Sequence, residues 1–378
     1  MINCLEISFN LAVQKIMVAT VKPQYVNIFH RVTRFFVPGL ISVATSFTLV
    51  SCTQPTPTAE TSSTANNVSD TKSVGIKTKV LRMGYQQAGD LVRVTKVLEK
   101  RLEPLGVKVE WAQFAQGPQL MEAMNVGKID LGSVGETPPI FAQAAGAQIV
   151  YVVGSRRTEN SGKGSAIAVP PNSPIKTLKD IKGQKVVFQK ASASHYFILR
   201  ALEDVGLKYS DIKVLSIPNV EASSAFLEGK ISVWVTGDPH LARAEKLNKV
   251  RILRDSQGLD SPGGYYIGGK QFAIDNPELL RIVIEEIDKI QRWAEAHPKE
   301  TAQLIAPYQK LPPDVMDLVI SRRSYGLRAI STDLVQEQQR VADYFYKNGL
   351  LPKPVNVREA MLTPEQYAAI TPPTISQK

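Results

Sequence analysis

The run Ile129–Gly146, IDLGSVGETPPIFAQAAG, places a strand end, a glycine turn and a helix start in direct succession, the order of a βα unit. Ile129 to Val134 alternates apolar with small or polar residues, the period of a strand. Gly135 opens the turn. Thr137 fits the N-cap of a helix whose first turn holds Pro138 and Pro139, where a missing N–H forfeits no intrahelical bond. Ile140 to Ala145 continue the helix, and Gly146 suits the residue after its end. A helix start that follows small residues at a strand's carboxyl end gathers free N–H groups, the positive end of the dipole and hydroxyls, which together attract an anion. An ordinary βα turn of a parallel sheet has the same features, so the stretch gains meaning only beside a second one.

The chain supplies that second stretch. Strands are expected at Val80–Tyr85, Val107–Phe114 and Ile149–Val153, with helices at Asp90–Leu102 and from Gln119 after Gly117-Pro118. Alternation with short Gly/Pro turns argues for a parallel sheet covered on both faces. Ala166–Pro170 reads as a crossing strand, after which the pattern restarts. Lys185–Gln189 is a strand, Lys190–His195 a hydroxyl-rich turn, and Tyr196–Val205 a helix that Ser192 or Ser194 can cap. Thr236-Gly237-Asp238-Pro239 leads from strand Ile231–Val235 into a helix, where Asp238 fits either a cap or a ligand contact. Ser261–Ile267 reads as the return crossing, with Tyr265 and Tyr266 near the junction. From Asn276 the periodicity is helical through four segments, whose apolar stripe of Ile282, Val283, Ile287, Ile290 and Trp293 belongs in a core. Matched hydroxyl-rich turns in two successive α/β units suggest a ligand held between facing helix N-termini.

The N-terminus carries a different signal. Arg31 and Arg34 precede an uncharged apolar stretch, Phe35–Val50, of signal-peptide length. It falls short of the roughly 20 apolar residues of a membrane span. Leu49-Val50-Ser51-Cys52 is similar to a bacterial lipobox, so residues 1–51 are expected to be a lipoprotein signal and Cys52 the lipidated residue. Residues 52–79, rich in Thr, Ser, Pro and Asn, have little to bury and are expected to form a disordered tether. The formal charge of +10 includes four cations against Glu6 in that leader. The remaining Lys and Arg are interspersed with acids and form no basic run laced with aromatics, which argues against nucleic acid. Residues 355–378 are Pro-rich and are expected to be a loosely packed tail.

Leu81–Gln86, Gly117-Pro118-Gln119, Asn125–Ser133, Thr137–Gly146, Ser194-His195 and Asp238-Pro239 resemble the substrate-binding proteins of aliphatic sulfonate ABC transporters. The resemblance spans about Lys79 to Lys353. It implies an α/β type II periplasmic binding protein: two α/β lobes, 80–165 with 267–354 and 166–266, joined by two crossing strands and followed by additional C-terminal helices. It implies that Gln86, Gly135, Glu136, Thr137, Ser192, Ser194, His195, Asp238, Tyr265 and Tyr266 line a cleft that closes on a small organosulfonate anion. It further implies no cofactor, no metal, a monomer anchored by lipid at the periplasmic face of the inner membrane, and an ABC permease with its ATPase as partners. The chain departs from the family pattern at Glu136 and Ser232, where Asp is frequent, and at Gly237, where a Trp precedes the Asp-Pro pair.

Three alternatives stay open at this stage. Desulfinase-like hydrolases share the fold but use a Cys nucleophile, whereas the only cysteines here are Cys4 and Cys52. His30, His195, His240 and His297 are widely spaced, and no HExxH, CxxC or Walker pattern occurs. A binder of taurine, nitrate, bicarbonate or a thiamine-pathway pyrimidine would share the same cleft, and Glu136 or Asp238 would suit a ligand amino group. An envelope protein with a structural or sensing role would bind no small molecule tightly.

Overall fold

The computed structural model describes residues 76–86 and 91–376. The expected signal segment, Cys52 and most of the expected tether lie outside the described residues. Of that tether Ile76 is described, and it packs against the core instead of trailing free.

Two sheets organise the molecule. The first contains β1 (Val80–Gln86), β2 (Lys108–Phe114), β3 (Leu131–Val134), β4 (Ile149–Ser155), β10 (Tyr265–Gly269) and β11 (Leu327–Arg328), in the order β11-β4-β10-β3-β1-β2. The second contains β5 (Ser165–Val169), β6 (Lys185–Val187), β7 (Lys213–Leu215), β8 (Val233–Gly237) and β9 (Arg251–Asp255), in the order β7-β6-β8-β5-β9. β1 runs parallel to β2 and β3, and β6 runs parallel to β7 and β8. The expected parallel sheet is mixed where the expected crossing strands enter. β10 returns from the second lobe and inserts antiparallel between β3 and β4, while β5 pairs antiparallel with β8 and β9. The crossing strands are therefore full members of the sheets. Central strands such as β4 and β5 are almost continuous apolar runs because both of their faces are covered.

Helices α1 (Leu91–Thr95), α2 (Val97–Leu102), α3 (Gly117–Asn125) and α4 (Thr137–Ala144) connect the early strands. Lys96, in the left-handed region at φ 54°, splits what the periodicity presents as one helix. The second sheet carries α5 (Ala193–Asp204), α6 (Asn219–Leu227) and α7 (His240–Lys246). After β10 come α8 (Lys270–Asp275), α9 (Pro277–Ala296), α10 (Pro298–Gln309), α11 (Pro313–Arg322) and α12 (Thr332–Lys347). α9 buries Leu279, Leu280, Val283, Ile284 and Ile287 along one stripe against the first sheet. Its Asp288, fully buried, accepts from Arg292 at 2.6 Å and from the N–H of Leu327 at 3.1 Å, which docks β11.

The end of the chain is not a loose tail. α13 (Pro364–Ile370) and α14 (Pro373–Ser376) bring Leu362, Ile370 and Ile375 into the core of the first lobe, and Val357 and Ala360 are buried as well. Proline there starts helices: Pro364 occupies the first turn of α13 behind the capping residue Thr363.

The chain passes between the lobes along 156–164 and 256–264, which run side by side. Ser256 donates its N–H to Gly162 O at 3.1 Å, and Ser155 donates to Gly264 O at 2.8 Å. A Cβ at Gly162 would lie 2.5 Å from Gln257 N, so glycine is what lets the two segments approach. The lobes also meet through α5, whose Tyr196 and Leu199 join the apolar cluster containing Ile140 and Phe345.

Candidate anion-binding cleft

Between the lobes lies a cleft of about 460 Å³, within the range of small-molecule sites. Helix starts from both sides border it: Gln116 and Gly117 of α3, Gly135 and Glu136 of α4, Ser192 to Ser194 of α5, and Asn219 of α6. None of the four helices receives a side-chain cap. Their first-turn N–H groups are the donors a helix cannot use internally, and the positive ends of their dipoles converge. The α4 and α5 turns come closest. A Cβ at Gly135 would sit 3.0 Å from Ala193 Cβ, across the lobe boundary.

Each hydroxyl has a specific place. Ser192 occupies the N-cap position of α5 but does not cap it, because its Oγ donates to Gln189 O at 2.7 Å. That bond shapes the turn and leaves the start of α5, which lines the cleft at Ala193 and Ser194, without a side-chain cap. The Ser194 hydroxyl lines the cleft with no partner among the described residues. Gln86 lines the cleft while its Nε2 donates to Ser133 O at 3.0 Å.

Glu136 and Asp238 supply negative charge where an anion site would be expected to exclude it. Burial pushes the Glu136 carboxyl above its usual range, and its own backbone N–H, the Thr137 hydroxyl and the charge of Arg157 only partly offset this. Thr137 Oγ1 donates to Glu136 Oε1 at 3.1 Å, and Gln338 Nε2 binds both Glu136 O and the Tyr151 hydroxyl. Burial likewise pushes Asp238 up to about 7, against the opposing pull of Arg322 and of the Ala242 N–H that bonds its Oδ1 at 3.0 Å. Its Oδ2 is buried with no hydrogen-bond partner among the described residues. A protonated carboxyl can donate to an anion, so these two groups tolerate one best when neutral.

Four expected lining residues stand elsewhere. Thr137 is the first residue of α4 and not its cap; fully buried, it turns its hydroxyl onto Glu136. His195 points away from Ser194, as consecutive positions on a helix must, and its ring packs among Phe188, Tyr209, Phe141 and Phe345 at 5.3, 5.4, 6.0 and 5.1 Å. Burial depresses its pKa to about 3, and the neutral ring accepts from Ala191 N at 3.2 Å, fixing a left-handed residue of the same turn. Tyr265 and Tyr266 project to opposite faces of β10. Tyr265 meets Tyr151 edge-on at 4.9 Å and Tyr266 joins the cluster under α9. Gly263 and Gly264 reach the cleft in their place, and its aromatic walls are Tyr196 and Phe197.

Four arginines line the cleft that sequence reasoning did not select: Arg156, Arg157, Arg322 and Arg323. Their one sequence signal is that they come as two adjacent pairs, one at the end of β4 and one at the end of α11. Arg156 pairs with Glu295, and Arg322 with Glu245 at 2.6 Å and Asp238 at 3.7 Å.

Residues 103–301 match the model of the NMT1/THI5 like family. The chain belongs to this family. A putative aliphatic sulfonates-binding protein of Escherichia coli (strain K12), likewise a relative of this NMT1/THI5 like chain, is 37% identical over 76% of the chain and 90% of its own length. Among solved structures, the alkanesulfonate-binding protein of Xanthomonas axonopodis pv. citri bound to MOPS superposes with a TM-score of 0.73 at 33% identity, covering 76% of this chain and 99% of its own. The periplasmic aliphatic sulphonate binding protein of Escherichia coli gives 0.68 at 36% identity, covering 77% and 100%. These relatives are named as binding proteins and not as enzymes, and the fold they share is that of the periplasmic binding proteins. No helix among the described residues is long and apolar enough to cross a membrane.

Proposed function

We propose that this protein is the extracytoplasmic substrate-binding component of an ABC importer, capturing an aliphatic organosulfonate in the interlobe cleft and delivering it to the permease and its ATPase. The observation that carries the reading is the convergence of uncapped helix starts from two lobes on one cleft, with the α4 and α5 turns nearly touching. A sulfonate spreads its charge over three oxygens, and several N–H donors fixed in place satisfy it without a metal. The Ser194 hydroxyl adds a donor, and Tyr196 and Phe197 offer apolar surface to the organic half. The relatives above 30% identity support the ligand class by their names.

The ligand touches both lobes, so it favours the closed arrangement by differential contact, and the protein performs no chemistry. A lipid anchor at Cys52 would hold it at the periplasmic face of the inner membrane, within reach of its permease. Calorimetry of the purified protein with short alkanesulfonates, taurine, nitrate and bicarbonate tests the reading: alkanesulfonates should bind, and at 100 times the dissociation constant should stabilise the fold by about 2.7 kcal/mol. If no alkanesulfonate binds while nitrate or bicarbonate does, the ligand class is wrong. If nothing on the panel binds, the receptor role fails.

A further inference from the structure

Two of the arginines that line the cleft are not taken up by ion pairs within it. Four arginines border it against two carboxylates, Glu136 and Asp238, while the sulfonate is already met by backbone N–H groups. Arg156 and Arg322 are engaged with Glu295 and Glu245. Arg157 and Arg323 make no ion pair among the described residues, yet neither is left to wander.

Two segments far apart in sequence run side by side here and place the two residues near each other on the backbone. Arg156 N donates to Gly326 O at 2.9 Å, Thr158 N donates to Ser324 Oγ at 3.2 Å, and the Thr158 and Ser324 hydroxyls meet at 3.1 Å. The Arg157 Nη2 donates to Leu259 O at 3.2 Å, its stem lying over Gly263, where a Cβ would approach Arg157 Cγ to 3.3 Å. The Arg323 guanidinium stands 5.9 Å from the centre of the Tyr325 ring. Arg157 is near enough to Glu136 for its charge to act on that carboxyl. An arginine placed to neutralise Glu136 would pair with it, and this one bonds a carbonyl across the hinge instead. Both residues line the cleft and neither guanidinium has a carboxylate partner among the described residues, although Arg323 also lies close enough to Tyr266 for its charge to act there; such forks can take a bidentate anion.

We infer that Arg157 and Arg323 form a second anion subsite, so that the preferred ligand is a doubly anionic sulfonate carrying a carboxylate at the end remote from the sulfonate. This rests on the sulfonate reading of the cleft. The sulfonate sits on the helix starts, the short carbon chain lies along the cleft walls, and the carboxylate reaches the two arginines at the rim. A zwitterion with a terminal ammonium meets the same arginines unfavourably.

The test is titration calorimetry with propanesulfonate, its ω-carboxylate analogue and its ω-amine analogue, which differ only in the charge of the tail. In the unmodified protein the carboxylate analogue should bind about tenfold or more tighter than propanesulfonate, and the amine analogue more weakly than either, as charge-assisted pairs imply. In Arg157→Gln and in Arg323→Gln the ratio of carboxylate analogue to propanesulfonate should fall toward one, whatever each change does to propanesulfonate itself. Arg323→Lys should keep part of the ratio, since it keeps the charge and loses the fork. Thermal melts confirm that each variant folds. If propanesulfonate binds but the carboxylate confers no preference, or if the preference survives both glutamine variants, the second subsite is refuted and the sulfonate reading stands. If none of the three compounds binds, both fall together.

Discussion

Gly135, whose place in the cleft is a backbone one, offers a way to test lobe closure without removing any side-chain donor to the ligand. Its Cα faces Ala193 across the lobe boundary, and a Cβ built there lies 3.0 Å from Ala193 Cβ but 4.0 Å from Ala193 Cα. Carbon atoms prefer about 3.5–4.0 Å, so Gly135→Ala requires the two turns to part by roughly 0.5–1 Å. Overpacking costs typically about 1–3 kcal/mol. The contact exists only when the lobes are together, so the strain bears on the closed state and leaves each lobe's own core intact. At the low end, about 1 kcal/mol, apparent affinity falls roughly fivefold; Gly135→Val, with two more carbons to place, should lose well over tenfold. The compensating change is Ala193→Gly. It removes the opposing methyl and leaves the ordinary 4.0 Å contact to Cα, so the double variant should recover most of the lost affinity. Calorimetry supplies the affinities, and small-angle scattering with and without ligand reports compaction. Wild-type affinity in Gly135→Val, or a double variant no better than Gly135→Ala alone, would show that the α4 and α5 turns do not meet in the ligand-bound protein.

Three further outcomes are expected. Asp238, raised to about 7 by burial, should repel an anionic ligand once ionised, so affinity should fall as pH rises from about 6 to about 8, and calorimetry on Asp238→Asn should find that slope flattened. The same shift makes its contribution to stability fully present below the unfolded value of 3.8 and lost as pH rises through about 7. Melts across that window should therefore show the wild type losing ground to Asp238→Asn. Ser194→Ala should weaken sulfonate binding about fivefold with an unchanged melting temperature, whereas Ser192→Ala, which strips the donor from Gln189 O, should lower the melting temperature as well. Ile370→Ala should destabilise by about 2–5 kcal/mol in denaturant titrations, because Ile370 is buried against the core of the first lobe; an unaffected midpoint would restore the loose-tail expectation.

What the sequence made legible was local, and what it concealed was pairing at a distance. GETPP and KASAS announce helix starts because glycine, proline and hydroxyls act on their own backbone within a few residues. That holds even where the details moved, with Thr137 one place inside α4 and Ser192 shaping the turn instead of capping it. Two adjacent tyrosines at Tyr265-Tyr266 could never both face one cleft from a strand. Alternation alone says so, and only the observation that helices cover both faces of β10 removes the second one too. His195 misled by proximity: a neighbour of Ser194 in sequence, it stands on another side of the helix and serves the aromatic contact between lobes. The arginines were hidden for the opposite reason. Arg157 and Arg323 become neighbours only because segments 156–158 and 324–326 pair, and no local rule links them. The division has a physical basis. Backbone donors that any strand-to-helix turn provides can be read from composition, so the general affinity for an anion is visible early. Selectivity among anions depends on side chains delivered from separate elements to a shared rim, and it emerges only when the fold brings segments 156–158 and 324–326 side by side.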